Sequence, residues 1–586
     1  MTQTRLEYLR LLSAQFPTIA QTSSQIINLE AILNLPKGTE HFLSDLHGEA
    51  EPFLHMLRNA SGVVREKIDL VYGNTLPASE RRELATLIYY PQQKLELIER
   101  SVEDLKEWYR ITLLRLIEVC RVTASKYARS KVRKALPEDF AYILEELLSY
   151  DDSPDRKRYY ERIIDTIIEI DSAEAFVIEL CNLIQRLAID CLHIIGDIYD
   201  RGPGAHLIVD TLCNYHNVDV QWGNHDILWM GAAAGSAACQ FVVLTTSLKY
   251  GNTRTLEDGY GINLRPLATF ALTTYADDPC EQFAVKAAQG SMAQSDQALL
   301  SRMHKAAAVI LFKLEGRVIE RHPEYHMEAR NLLRQVDSRR WTVTLEGGEY
   351  PMLDQSFPTV DWSDPLALTP EEEDLVEQVA MSFAHSALLQ KHVRFLYASG
   401  SMFKCINGNL LYHGCIPMQE DGSFTRVDFY GQTVWGKRYL ESTEQLARQG
   451  YFALEDTAQR CLGQDFLWYL WCGGQSPLFA KDHMTTFERY FVADVATHVE
   501  HKNPYYALLE GERGEEVARS ILMEFGLDPD SSRIINGHMP VRRIRGESPI
   551  KANGRMLIID GGLSRAYQSQ TGTAGYTLIH NSHGLQ

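Results

Sequence analysis

The sequence lacks any excess of basic residues: 58 Lys and Arg face 77 Asp and Glu, a formal net charge of −19. It also lacks a basic tract, which an electrostatic nucleic-acid binder needs in order to release counterions from phosphates. The charge balance therefore argues against a nucleic-acid partner. An acidic protein that acts on an anionic substrate must instead concentrate positive charge locally, through metal ions and a few Arg or Lys.

Paired cysteines and long apolar runs are missing as well. The ten cysteines form no C-x-x-C pair and have no regular spacing, which indicates free thiols in a reducing compartment. Residues 1–24 have no apolar core of the signal-peptide kind, and no apolar run reaches membrane-spanning length. We expect a cytoplasmic protein without a membrane partner.

The length, 586 residues, predicts several domains or one core with large insertions. Residues 1–36 are expected to form one or two helices, and helical spacing dominates from about 77 to 190, with a one-sided apolar stripe over 95–113. A Thr-Pro-Glu-Glu capping box at Thr369 predicts another helix start. Residues 345–363 are polar and aromatic without periodicity, which is typical of a loop, either a lid or a plain connector.

Short apolar runs that stop at glycine or polar residues recur along the chain, as buried strands do where they enter loops. Metal-competent residues follow five of these runs: Asp45 and His47, Asp197, Asn224, His413 and His538. Strand ends of this kind meet at the carboxyl edge of α/β sheets. Turns rich in Asp and Asn, and a lone structural histidine, are the ordinary alternative for each motif taken singly. Their convergence, with Arg201 beside one motif, favours a metal site that binds phosphate.

Six ligands with one shared carboxylate can hold two cations about 3.5–4 Å apart, a spacing suited to in-line displacement at phosphorus. Such cations lower the pKa of bound water, so that hydroxide exists at neutral pH. His225 would donate a proton to the leaving oxygen, with Asp200 orienting it. Arg201 would bind the phosphoryl oxygens. This chemistry suits hydrolysis of a phosphate ester.

A family resemblance follows from the same motifs. Asp45-Leu46-His47-Gly48, Gly196-Asp197 through Arg201-Gly202, Gly223-Asn224-His225-Asp226, His413-Gly414 and Gly537-His538 resemble, in order, the calcineurin-like metallophosphoesterases. The resemblance implies one metal site from Asp45, His47 and Asp197, and a second that shares Asp197 and adds Asn224, His413 and His538. It also implies that His225 and Asp200 form the proton-donating pair.

The C-terminal motifs are more specific. The segments 534–540, 546–554, 559–562 and 571–576 resemble class III fructose-1,6-bisphosphatases, as do 476–479 and 486–491. The resemblance implies a manganese-dependent gluconeogenic enzyme that removes the 1-phosphate of fructose 1,6-bisphosphate and is regulated by a nucleotide or a phosphorylated metabolite.

The implied fold is α/β, with a calcineurin-like β-sandwich core flanked by helices and two large, mainly helical insertions. The insertions follow from the long gaps before Asp197 and before His413. We expect an N-terminal helical segment over 1–36 and two insertions, over 77–184 and 236–399. The discontinuous core would comprise 37–76, 185–235 and 400–586.

A bisphosphate needs cations beyond the metal pair, and the segment containing His538 is locally basic. Candidates for substrate binding are Arg201, Lys551, Arg543 and Arg565, although a solvated surface strip would also explain such charges. We further expect a homo-oligomer. The alternative enzymatic function is that of a phosphoprotein or nucleotide phosphatase. The non-enzymatic hypothesis is a binding scaffold that has lost catalysis.

Overall fold

The computed structural model describes residues 3–149, 154–286, 294–454, 457–563, 572 and 575–586. It is a mixed α/β fold. None of the helices in these ranges combines the length and apolarity that crossing a membrane requires.

Helices account for most of the regular structure. In chain order they are α1 Gln3–Gln15, α2 Ile19–Leu33, α3 Ala50–Asn59, α4 Val63–Tyr72, α5 Ala78–Tyr89, α6 Pro91–Ser101, α7 Leu105–Ala124, α8 Arg129–Ala135, α9 Ala141–Leu148, α10 Pro154–Glu169, α11 Ala173–Ala188, α12 Ala205–Cys213, α13 Asn224–Ala234, α14 Ala237–Lys249, α15 Arg265–Thr274, α16 Gln294–Arg321, α17 Pro370–His385, α18 Ala387–Ser399, α19 Gly436–Phe452, α20 Ala458–Cys472, α21 Thr486–Phe491, α22 Pro504–Glu510 and α23 Gly514–Glu524.

The strands are short. They are β1 Glu40–Leu43, β2 Cys191–Ile194, β3 Val218–Gln221, β4 Val336–Asp337, β5 Thr342–Leu345, β6 Gly348–Pro351, β7 Gly400–Ser401, β8 Lys404–Ile406, β9 Asn409–Tyr412, β10 Val427–Phe429, β11 Gln432–Val434, β12 Arg533–Asn536, β13 Ile550–Lys551, β14 Met556–Ile558, β15 Leu578–Asn581 and β16 Gly584–Leu585.

Two larger sheets carry the strands whose ends hold the predicted ligands. One has the order β16-β15-β1-β2-β3-β7, and the other the order β13-β14-β12-β9-β8. In the second sheet β12 is parallel to both β9 and β14, so the carboxyl ends of these strands lie at one edge. The smaller sheets are β4-β5-β6 and β10-β11.

The chain divides into two compact units. The first comprises Met1–His41, Leu54–Leu192 and Ile579–Gln586, and the second comprises Phe42–Phe53 and His193–Leu578. Within the first unit, α11 packs against α7 and α5, and the buried faces of α7 and α11 are apolar. The second unit contains every predicted ligand of the metal site.

A buried cluster in the second unit joins residues of both larger sheets. Phe42 comes from β1, Leu411 from β9 and Ile535 from β12, while Ile195 and Ile559 directly follow β2 and β14. All five are at most 4% exposed. Because side chains alternate between the faces of a strand, each sheet contributes one apolar face to this core.

Helix predictions hold with one correction. Residues 1–36 contain α1 and α2, and Thr369 caps α17 through the predicted box. The stripe over 95–113, however, is divided between α6 and α7. The break comes at Asp104, whose carboxylate accepts the N–H of Glu107 at 3.0 Å and begins a new helix.

The loop predicted over 345–363 is also only partly correct. It contains β6, which pairs with β5 in an antiparallel hairpin, Val343 opposite Tyr350. The hairpin turns at Glu346 and Gly347, and Gly347 has φ +98°, a conformation that glycine adopts without steric cost.

Candidate metal centre and substrate cleft

The predicted ligands converge on two adjoining clusters. One is formed by Asp45, His47 and Asp197 and the other by Asp197, His413 and His538, each with its ligand atoms within 4.8 Å of one another. Asp197 belongs to both, as the family resemblance implies. Asn224 lines the same cleft and is 6% exposed. The structure thus brings together all six predicted ligands from segments that lie far apart in the sequence.

Left-handed backbone conformations mark the loops that present these side chains. Five non-glycine residues of the site have positive φ: Asp45 (54°), His47 (44°), Asp197 (54°), Asp200 (106°) and His538 (70°). Such conformations cost about 1–3 kcal/mol each and persist where the surrounding structure enforces them. Their concentration at strand ends is typical of a functional site, where the backbone adopts strained conformations in order to orient particular side chains.

A residue to which the sequence analysis gave no role holds two of these loops together. The buried carboxylate of Asp226 accepts the backbone N–H groups of Asp197, Ile198 and Gly223, each at 2.9 Å. It therefore connects the loop after β2 to the loop after β3. The only sequence signal was its place at the end of the Gly-Asn-His-Asp motif.

Close packing explains the glycines of the two motifs. A Cβ on Gly196, which has φ +74°, would lie 2.5 Å from Nδ1 of His413, and a Cβ on Gly223 would collide with the Asp197 carboxylate. Both positions therefore need glycine because ligand side chains occupy the adjoining space.

The electrostatics of the centre favour added positive charge. Burial alone would raise the pKa of Asp197, but His413, His225 and His47 outweigh it and lower that pKa well below the usual range. Burial and the neighbouring Asp560 carboxylate raise the pKa of Asp45 well above its ordinary value. Burial, with a smaller contribution from the Asp197 carboxylate, raises the pKa of Asp560 to about 7. Cations would relieve the repulsion among these buried carboxylates.

The donor atoms fit metal ligation. His413 Nδ1 donates to the carbonyl oxygen of Ile195 at 2.8 Å, which leaves Nε2, 3.4 Å from Asp197 Oδ2, as the ligand nitrogen. Asn224 Oδ1 is buried and has no hydrogen-bond partner among the residues the structure describes. Carboxylate, amide and imidazole donors together suit manganese, iron or zinc. The residues present therefore fit a divalent metal centre.

Beside the clusters lies the predicted acid-base group. His225 Nε2 is 3.4 Å from Asp200 Oδ2, and Arg201 Nε donates to that same oxygen at 3.0 Å. The His225 ring also packs edge-on against Trp471, with 5.0 Å between ring centroids. The sequence gives no indication of the contact with Trp471, on α20, since no local signal relates it to a histidine 246 positions earlier. The arrangement can hold an imidazole in one orientation beside a carboxylate.

A cleft of about 550 Å³ opens from this group. Its walls carry six cationic side chains: Arg201, Lys249, Lys481, Lys502, Arg542 and Lys551. Of the substrate-binding candidates, Arg201 and Lys551 line it, whereas Arg543 is exposed and lies outside the lining. Arg565 falls outside the described residues.

Comparison with known proteins identifies the family. The model of the family described as Firmicute fructose-1,6-bisphosphatase matches residues 7–586. The chain belongs to this family. A relative named fructose-1,6-bisphosphatase class 3, from Clostridium novyi (strain NT), is 55% identical over 581 residues, 99% of this chain and 87% of the relative.

A second relative of the same name comes from Clostridium botulinum (strain Langeland / NCTC 10281 / Type F). It is also 55% identical over 581 residues, which are 99% of this chain and 86% of the relative. No solved structure matches the chain. The resemblance stated from the motifs is therefore confirmed at the level of the family.

Proposed function

We propose that this protein hydrolyses the 1-phosphate of fructose 1,6-bisphosphate to give fructose 6-phosphate and inorganic phosphate, a gluconeogenic reaction. Membership of the fructose-1,6-bisphosphatase family over residues 7–586 supports the substrate. The single structural observation that carries the chemistry is the pair of ligand clusters that share Asp197, at the end of a cleft lined by cations.

Two divalent cations are part of the proposal, with Mn²⁺ as the expected metal. Asp45, His47 and Asp197 would hold one, and Asp197 with Asn224, His413 and His538 would hold the other. When bound, such cations lower the pKa of water and neutralise charge that develops on the phosphoryl oxygens. The mixture of oxygen and imidazole donors supports manganese over magnesium, which favours oxygen alone.

The remaining roles fall to groups already close together. His225, held by Asp200 and Trp471, would donate a ring proton to the oxygen that leaves phosphorus. Asp200 would keep the imidazole charged and oriented until that transfer. Arg201, fixed by the same carboxylate, would bind the phosphoryl oxygens through its remaining N–H groups.

The domain organisation stays a proposal as well. A calcineurin-like core over 37–76, 185–235 and 400–586, with insertions at 77–184 and 236–399, is supported by the two facing sheets that supply the ligands. A homo-oligomer and control by a nucleotide or phosphorylated metabolite remain predictions.

The alternative enzyme is a phosphoprotein or nucleotide phosphatase, which the metal clusters alone would also suit. The number of cationic side chains in the cleft supports a small substrate with two phosphates instead. A non-catalytic scaffold is disfavoured because the six ligand types and the His225–Asp200 pair are all in place.

The test is phosphate release after chelation and add-back of Mn²⁺, with fructose 1,6-bisphosphate, a phosphoserine peptide, a dinucleotide and p-nitrophenyl phosphate as substrates. We expect the highest kcat/KM with fructose 1,6-bisphosphate and no activity before Mn²⁺ is restored. A higher kcat/KM for the peptide or the dinucleotide would contradict the sugar assignment, and full activity in chelator would contradict the metal assignment.

A further inference from the structure

Lys249 is one of three cations of the cleft, with Lys502 and Arg542, that have no carboxylate oxygen within 4.0 Å among the described residues. Lys249 ends α14, in the segment 236–399, and its side chain lines the cleft while half-buried. Three cations of the same cleft already have carboxylate partners: Arg201 with Asp200 (3.0 Å), Lys481 with Glu500 (2.7 Å) and Lys551 with Glu510 (2.8 Å). Within the described part of the chain, no carboxylate oxygen lies within 4.0 Å of Lys249 Nζ.

The surroundings of Lys249 are those of a cation that needs an anion. Its Nζ lies 5.5 Å from the centroid of the Tyr490 ring. Burial, followed by the nearby cations Lys286 and Arg489, lowers its pKa to about 8, and Asp200 opposes them. An ammonium group that is removed from water among like charges is unfavourable unless an anion binds there. Lys502 is more exposed, and although burial lowers its pKa, the carboxylates of Glu510 and Glu547 oppose that change. Arg542 has the Glu547 carboxylate close by, at 2.8 Å from its own backbone nitrogen.

The position of Lys249 indicates which anion. The Arg201 guanidinium carbon lies 5.3 Å from the ring centroid of Tyr250, the residue that follows Lys249. Lys249 is therefore on the side of the centre occupied by Asp200 and Arg201, where His225 would protonate the leaving oxygen. The departing sugar, together with its second phosphate, must lie on that side, because the proton donor faces the leaving group.

We propose that Lys249 binds the phosphate that is not cleaved, so that the segment 236–399 supplies the preference for a bisphosphate over a monophosphate. The inference rests on the proposed function, since it presupposes a sugar bisphosphate as substrate. It also gives that segment a role at the site: α14 and α16 contribute cleft-lining residues that include Val242, Thr246 and Leu311.

The experiment measures binding as well as rate. Isothermal calorimetry on the Mn²⁺-loaded protein would use fructose 6-phosphate, which keeps only the second phosphate, and inorganic phosphate, which reports on the metal centre. Lys249→Met keeps the apolar stem and removes the charge. It should weaken fructose 6-phosphate binding about 10- to 100-fold, the loss expected for one charged hydrogen bond, while phosphate binding changes by less than about twofold.

Rates supply the second measurement. In Lys249→Met, kcat/KM for fructose 1,6-bisphosphate should fall by about the same factor, whereas kcat/KM for fructose 1-phosphate should stay within about twofold. Lys249→Arg should restore most of the preference for the bisphosphate. Lys437→Met, at a lysine outside the cleft that is half-buried like Lys249, is the matched control and should behave as wild type.

Other results would overturn the inference. Equal losses for bisphosphate and monophosphate would place Lys249 at the reacting phosphate or in folding alone, and unchanged binding of fructose 6-phosphate would remove it from the site. A loss of that binding in Lys502→Met but not in Lys249→Met would assign the second phosphate to Lys502. A wild-type protein inactive on fructose 1,6-bisphosphate would refute the proposed function itself, and the inference with it; the wild-type reaction thus separates the two failures.

Discussion

At the scale of single residues, Asp197 connects the largest number of site components. Its carboxylate belongs to both ligand clusters and accepts a hydrogen bond from the backbone N–H of His225 at 3.0 Å. It also lies 3.4 Å from Nε2 of His413. Asp226 in turn holds the Asp197 backbone through a buried hydrogen bond. The side chain of Asp197 is therefore the one whose loss affects both clusters at once.

We expect Asp197→Ala to abolish metal binding and activity together, because both proposed cation sites lose a charged oxygen ligand. Bound manganese, measured by atomic spectroscopy after gel filtration, and phosphate release would be compared with wild type. Asp361→Ala, at an exposed loop carboxylate, should retain both. Wild-type turnover in Asp197→Ala would refute the bridging role.

His225→Ala separates proton donation from metal binding. The rate should fall ~10²–10⁴-fold, the range for loss of a general acid, while the manganese content stays at the wild-type level. The exposed His385→Ala serves as the control. An unchanged kcat would mean that another group protonates the leaving oxygen.

At the scale of elements, α17 shows how a local signal becomes part of a buried network. Thr369 Oγ1 accepts the Glu372 N–H at 3.3 Å, and Glu372 Oε2 accepts the Thr369 N–H at 2.9 Å, which completes the predicted capping box. The same Glu372 oxygen lies 2.6 Å from Lys313 Nζ on α16, and both side chains are at most 1% exposed. The Glu372 carboxylate therefore both caps α17 and forms an ion pair with the buried Lys313 ammonium.

This double role predicts unequal costs. Thr369→Ala should destabilise the protein by about 1 kcal/mol, the usual effect of losing an N-cap. Glu372→Ala should cost about 3–5 kcal/mol, because it also leaves the buried Lys313 ammonium without its carboxylate partner. Glu373→Ala, an exposed control on the same turn, should cost less than about 0.5 kcal/mol.

Thermal unfolding followed by circular dichroism would rank the three variants of α17. The lowest midpoint should belong to Glu372→Ala, and that of Glu373→Ala should match wild type. Equal midpoints for Thr369→Ala and Glu372→Ala would show that the contact with Lys313 adds nothing beyond the cap.

For the molecule as a whole, the metal centre and folding should be linked. The Asp560 carboxylate disfavours ionisation of Asp45, and the Asp197 carboxylate disfavours ionisation of Asp560; bound cations would offset that repulsion. A ligand that binds only the folded chain stabilises it by about 2.7 kcal/mol at 100 times its Kd.

Chelation should therefore lower the midpoint of thermal unfolding, and Mn²⁺ should restore it in a concentration-dependent manner. Differential scanning calorimetry of wild type with chelator and with graded Mn²⁺ measures this shift. The Asp197→Ala protein should show a much smaller response. Equal midpoints for wild type in chelator and in excess Mn²⁺ would contradict the link.

Much of the regular structure was accessible from local signals. The capping box at Thr369 and the helices α1 and α2 follow from caps and breakers, which act over a few residues. The continuous stripe over 95–113 was misleading because periodicity does not register the N-cap at Asp104, and the β5–β6 hairpin was missed because its turn lies in an aperiodic segment.

The sequence by itself determined the set of residues able to bind metal or transfer protons, and the family. Each short motif specifies its own ligand types, its glycines and their order without reference to the rest of the chain. Only the tertiary structure decided that those residues share one centre, that Asp226 ties their loops, and that Trp471 faces His225. It also decided which cations of the cleft have partners and which, like Lys249, do not. Pairing and burial depend on contacts between distant segments, and no local pattern specifies them.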